Sequence, residues 1–209
     1  MRVYFISGLG ADKRAFQKLT LPANWEPIHI EWIDNYENET LVSYCQRLSL
    51  LIDTKEPFYI VGLSFGGIVA IELSKIINPD KLILISSIVT HGELPFWFKF
   101  LEIFKMDKIV PAFLFNRYSF FLPWLFGIKT KEEKNLLRQI LENTSPKFAK
   151  WAVGKILRWK NDIRPKQVLL IQGTADKLFP YSKTHAAIKI NGGGHFMVYS
   201  NADEISKLL

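Results

Sequence analysis

The chain has 209 residues, 48% of them hydrophobic, which suits one folded domain with a sizeable core and excludes a disordered segment. Its net charge of +7 is unevenly placed. Residues 93 to 160 hold 13 of the 27 Lys and Arg but six of the 20 Asp and Glu, so the rest of the chain is neutral. The single cysteine, Cys45, excludes an internal disulfide and a cysteine-rich zinc site and fits a reducing compartment. It falls at an apolar position of a predicted helix and reads as a small core residue.

Arg2-Val3-Tyr4-Phe5-Ile6 reads as a strand, followed by the tight loop Ser7-Gly8-Leu9-Gly10. No charged region, apolar run and cleavage site precede it. No later apolar run is long and charge-free enough to span a bilayer, so the expectation is a soluble, cytoplasmic protein. Asp12 is placed to cap a short helix through Leu19. Pro27 to Trp32 reads as a second strand, and Thr40 caps a helix predicted to reach about Asp53, with Leu41, Tyr44, Cys45, Leu48 and Ile52 at helical spacing.

The stretch Phe58 to Gly67 is the most informative. A short apolar run from Phe58 reads as a buried strand. It ends in Gly62-Leu63-Ser64-Phe65-Gly66, and Ile68 to Ile77 continues without a breaker as a helix. Ser64 therefore sits on a sharp strand-to-helix turn, where side chains at 62 and 66 would crowd the backbone. A helix N-terminus aimed at its hydroxyl favours negative charge developing nearby. The bland alternative is a glycine-rich turn with a serine cap.

Asn78-Pro79 stops that helix, and Lys81 to Ser86 is a fourth strand. Strands alternating with helices imply a parallel sheet with right-handed crossovers. From Gly92 to Trp159 the pattern changes to helices alone. Glu132 to Glu142 carries Leu136, Leu137, Ile140 and Leu141 on one face, and Ser145-Pro146 opens a helix bearing Phe148, Trp151, Ala152, Ile156 and Trp159. The Phe and Trp residues between Phe96 and Phe126 are expected mostly to pack these helices onto the core. The basic residues also read simply as solvated helix faces. Gln167 to Gln172 resumes the sheet, Ala187 to Ile190 is a last strand, and one closing helix is expected to run to Leu209.

A serine hydroxyl needs a base within hydrogen-bond reach, itself oriented by a third group. His29 lies inside a strand, His91 follows one, and His185 is in a polar segment. His195 follows a strand end through Gly192-Gly193-Gly194, and Asp176 follows another through Gly173. Singly, these two read equally well as a loop histidine and a capping aspartate. Together with Ser64 they form Ser, Asp and His at three strand ends, with Asp34 and Asp162 as alternative acids.

In the Gly-x-Ser-x-Gly turn and the Ser-Asp-His order, the chain resembles the α/β-hydrolase superfamily, from Arg2 to His91 and from Arg164 to Leu209. The resemblance implies an α/β fold with a mainly parallel, six-stranded sheet, helices on both faces and the first two strands of the full fold missing. The core would be residues 1–91 and 161–209, with 92–160 a helical cap. It makes Ser64 the nucleophile, His195 the base and then acid, and Asp176 the group that holds the imidazole. Backbone N–H groups of Leu9 and Phe65 would form the oxyanion hole. Ser7-Gly8 replaces the His-Gly of many members, and Asp176 and His195 stand closer in sequence than the usual intervening helix allows. The implied activity is carboxylic ester hydrolysis. Thioester hydrolysis, C–C bond hydrolysis, a lyase reaction and a non-catalytic binding module are the alternatives. No metal or cofactor is expected, since no metal motif or dinucleotide fingerprint is present. The expected partner is a small acyl substrate, amphiphilic or anionic. No nucleic acid is expected, while the basic aromatic cap leaves room for peripheral membrane contact.

Overall fold

The computed structural model describes residues 1–185 and 188–209. Among these are six strands, β1 (Arg2–Ile6), β2 (Glu26–Ile30), β3 (Phe58–Leu63), β4 (Lys81–Ile85), β5 (Val168–Gly173) and β6 (Ile188–Ile190). All neighbours pair in parallel, in the order β2-β1-β3-β4-β5-β6. This is the six-stranded parallel sheet that the resemblance implies. Ala187, the expected start of the last strand, lies outside the described residues.

Alternation along the strands builds two cores. On β1, Tyr4 and Ile6 join the core under α1 (Leu41–Ser49) and α2 (Phe65–Ser74). Val3 and Phe5 join the opposite core with Phe16 of a 3-10 helix (Lys13–Phe16). Covering both faces explains the near-continuous apolar runs of β3 and β4. Pro27 is accommodated because β2 is an edge strand.

Between β4 and β5 the described residues form helices alone, namely α3 (Phe96–Ile103), α4 (Met106–Ile109), α5 (Phe121–Phe126), α6 (Lys131–Asn143) and α7 (Pro146–Arg158), with two one-turn 3-10 helices. Leu136, Leu137 and Ile140 of α6 enter one core, and Phe148, Ala152 and Ile156 of α7 enter the other. This segment therefore packs against both faces of the sheet. The helix start at Ser145-Pro146 is as expected, with Ser145 accepting from the Phe148 N–H. The start of α6 has a feature the sequence reading passes over. Thr130 Oγ1 accepts from the Glu133 N–H at 3.2 Å, while Glu133 Oε2 accepts from the Thr130 and Lys129 N–H groups at 2.9 Å.

Four expectations need correction. Helix α1 ends at Ser49, and Leu50 to Ile52 tighten into turns whose N–H groups bond three residues back. Strand β2 leaves the ladder at Ile30, because Trp32 turns inward to donate its indole N–H to Gly8 O at 3.0 Å. The closing helix is two pieces, α8 (Met197–Ser200) and α9 (Ala202–Ser206). Asn201 between them has φ −120° and ψ 31°, in keeping with the preference of Asn for helix ends. Most of the aromatic residues from Phe96 to Trp124 do not pack onto the core but are exposed.

The capping box supplies a stability test. Thr130→Ala removes one acceptor from the first turn of α6 and should cost about 1 kcal/mol. It should appear as a lower urea midpoint with an unchanged m value. An unmoved midpoint would show that the cap contributes nothing.

Candidate active site

All the loops that meet at the site leave carboxyl ends of strands, where an open parallel sheet offers a crevice. The first is the turn from β3 to α2. Ser64 adopts φ 53° and ψ −118°, a strained conformation for a residue with a Cβ. Surrounding contacts hold it there. Its N–H donates to Ile85 O at 3.0 Å, and its carbonyl accepts from Gly67 N–H at 2.9 Å and Ser87 Oγ at 2.7 Å. A Cβ at Gly66 would lie 2.3 Å from the carbonyl oxygens of Ile6 and Ser7, and one at Gly62 would lie 2.6 Å from Gly67 Cα. The glycines let α2 press against the end of β1.

The structure brings Ser64, His195 and Asp176 together. Ser64 Oγ is 2.8 Å from His195 Nε2, and His195 Nδ1 is 2.8 Å from Asp176 Oδ2. An ionised carboxylate only accepts, so Nδ1 carries the proton and Nε2 is left to accept from the hydroxyl. His195 and Asp176 are each 4% exposed. The carboxylate is fully engaged. Oδ1 accepts from the Leu178 and Phe179 N–H groups, both at 2.9 Å, and Oδ2 also accepts from Gln172 Nε2 at 2.8 Å. The imidazole packs in T-shaped contact with the Phe126 and Phe179 rings, whose centroids are 5.3 and 5.5 Å away.

The loop after β1 lies on the other side of Ser64, where a Cβ at Gly8 would come within 3.6 Å of the Ser64 Cβ. Ser7, in the place where many members have His, donates through Oγ to Ala11 O, and Ala11 N–H donates to Gly8 O at 2.9 Å. Trp32 also donates to Gly8 O, and Thr144 Oγ1 donates to Gly10 O at 3.0 Å. Gly10 has φ +66°, and a Cβ there would collide with the Thr144 side chain. The Leu9 N–H makes no hydrogen bond among the described residues. Phe65, the first residue of α2, has no carbonyl within the helix to donate to. Among the described residues, then, neither the N–H of Phe65, next to Ser64 in the chain, nor that of Leu9, next to Gly8, has a backbone partner outside the regular elements.

The remaining candidates lie elsewhere. His29 packs against the Phe5 and Phe16 rings, and burial pushes its imidazole below the usual histidine range. His91 Nδ1 is 2.9 Å from Asp162 Oδ1 without hydrogen-bond geometry. His185 is exposed. The Asp34 carbonyl accepts from Arg47. Cys45 is buried, and burial pushes its thiol well above the ordinary range. The sequence reading passes over Gln172, and also Ser87 and Thr144, which reach Ser64 and Gly10 far back in the chain. Gln172 alone carried a signal, as a polar residue inside a buried strand.

A model of the alpha/beta hydrolase family matches residues 3–208, and the chain belongs to this family. Comparison with curated proteins finds no match. Among solved structures, a hydrolase from Oleispira antarctica is 16% identical, with 99% of this chain and 88% of that one covered and a TM-score of 0.69. A thermophilic esterase from Thermogutta terrifontis is 13% identical, covering 100% and 87%, with a TM-score of 0.68. A meta-cleavage product hydrolase from Pseudomonas fluorescens is 17% identical, covering 100% and 88%, with a TM-score of 0.65. At these identities the likeness establishes the fold. No described helix is long and apolar enough to cross a membrane.

The close approach of α2 to β1 gives a paired test. Gly66→Ala should lower stability by about 1–3 kcal/mol through overpacking against backbone. Gly92→Ala, whose Cβ would meet only Thr90 Oγ1 at 3.9 Å, should leave it nearly unchanged. Equal urea midpoints for the two variants would contradict the packing described.

Proposed function

We propose that the chain is a serine hydrolase that cleaves a carboxylic ester through an acyl-enzyme on Ser64. The observation that carries this reading is the unbroken line from Ser64 Oγ through His195 to Asp176, with 2.8 Å at each step. Ser64 Oγ attacks the carbonyl carbon as His195 Nε2 takes the hydroxyl proton. The Phe65 and Leu9 N–H groups donate to the oxygen that becomes negative. The intermediate collapses, and the alcohol leaves with the proton from His195. Water then attacks the acyl carbon, giving its proton to His195. Collapse of the second intermediate releases the carboxylic acid and returns the proton to Ser64. Asp176 stays ionised throughout and holds the imidazole, itself fixed by Gln172 and two backbone N–H groups.

Residues 92–160 act as a cap on a core of residues 1–91 and 161–209. Two observations support this role. Phe126 of α5 stands against the His195 ring, and Phe98 of α3 stacks on Phe179, which also meets that ring. These side chains give the reacting centre apolar walls suited to an acyl chain. The cap's net positive charge favours amphiphilic or anionic substrates.

Steady-state kinetics tests the machinery. Ser64→Ala should abolish ester turnover in a folded protein, and Asp176→Asn should lower kcat by about four orders of magnitude. Near-wild-type turnover by Ser64→Ala would remove Ser64 from the mechanism. Loss in Asp34→Asn or Asp162→Asn, with little in Asp176→Asn, would reassign the acid. A p-nitrophenyl ester series tests the pocket. Each added methylene should raise kcat/KM by about fourfold until the pocket is full, from roughly 0.8 kcal/mol per buried CH₂. A steady fall from acetate onward would exclude an acyl pocket.

A further inference from the structure

Helix α3 is apolar on two sides. Phe98 is buried and stacks on Phe179, anchoring one side to the core. Phe96, Phe100, Ile103 and Phe104 follow the i, i+4, i+7, i+8 spacing of a second side and are 80%, 60%, 73% and 52% exposed. Further along, Phe120 is 93% and Trp124 55% exposed. Residues 96–124 carry ten of the seventeen exposed large hydrophobic side chains in the described protein. Single exposed apolar residues are ordinary, but a concentration of this kind marks a surface that meets something apolar.

The charges select the occupant. Lys99, Lys105, Lys108 and Arg117 are exposed within the same stretch. Of the acids in and beside it, Glu102 is half-buried and the other two are withdrawn. Glu93 is buried with Arg164 at 3.6 Å, and Asp107 is buried with Arg158 at 2.7 Å. The face therefore offers aromatic and aliphatic groups interspersed with cations. A second copy would set like charges against each other. An anionic bilayer accepts both features, with rings at the headgroup boundary and Lys and Arg near lipid phosphates.

We propose that the face formed by residues 96–124 docks on an anionic lipid surface. It adjoins the reacting centre, because α5 starts at the exposed Phe121 and ends at Phe126, whose ring packs against His195. Docking brings the helix that ends against His195 to the lipid surface.

Vesicle flotation of the full chain tests this. The protein should float with vesicles of phosphatidylcholine and phosphatidylglycerol, bind phosphatidylcholine alone much more weakly, and be released by salt. The Phe100→Ser, Phe104→Ser, Phe120→Ser triple variant should lose about tenfold or more in partitioning. Lys99→Glu with Lys105→Glu should lose the preference for the anionic vesicles. Circular dichroism of each variant verifies its fold. Absence of flotation, or flotation unaffected by the Phe substitutions, overturns the proposal. So does a concentration-dependent dimer, seen by sedimentation velocity and abolished by those substitutions, which would make the occupant a second copy. Turnover of a water-soluble short-chain ester reads the hydrolase separately, and its failure would leave the flotation result standing.

Discussion

The chain passes from β3 into α2 through one residue, and the site depends on how tightly that turn is pressed against the end of β1. Gly66 has no room for a methyl group beside the Ile6 and Ser7 carbonyls, and Gly62 has none beside Gly67. The pressure fixes Ser64 at positive φ, an arrangement that costs of order 1–3 kcal/mol and persists only where neighbours over-determine it. Here those neighbours are Ile85, Ser87 and the first turn of α2. The same contact sets the Gly8 loop against Ser64, so the nucleophile candidate and that loop are positioned by one piece of packing.

The acid and base are positioned independently, by stitching between β5 and β6. Thr174 N–H donates to Ile190 O and Ala175 N–H to Gly193 O, both at 2.9 Å, and Gly192 N–H donates to Thr174 Oγ1 at 2.8 Å. A Cβ at Gly173 would lie 2.2 Å from Gly193 O. The two loops are thus joined directly, which is how Asp176 and His195 meet with no α-helix between these strands among the described residues. The long helical segment then braces both halves. Thr144 holds the Gly10 carbonyl on one side. On the other, Gly127 meets Gly194, with a Cβ at either lying 2.8 Å from the other's Cα, beside Phe126 and His195.

Local signals carried much of this. Apolar runs and breakers located each described strand to within one or two residues, most clearly β3 and β4, whose runs are buried on both faces. The Gly-x-Ser-x-Gly turn, the two glycine-bearing strand ends and the family resemblance pointed to Ser64, Asp176 and His195, whose side chains meet in the structure. What escaped depends on contacts between residues far apart in the chain. Trp32 leaves its strand for Gly8, Ser87 holds the Ser64 carbonyl, and Thr144 reaches 134 residues back to Gly10. The aromatic residues of 96–124 misled for a related reason. Composition shows that they are apolar but not which sides of short helices find partners, and Phe98 does while Phe100 does not.

The most direct test of the account is chemical quench of the wild-type protein during turnover of a p-nitrophenyl ester, followed by mass spectrometry of its peptides. The account expects the acyl group, with no alcohol portion, on the peptide containing Ser64 and at Ser64 itself. Acylation of another residue, or ester turnover with no covalent intermediate under conditions that give a burst of nitrophenol, would contradict it.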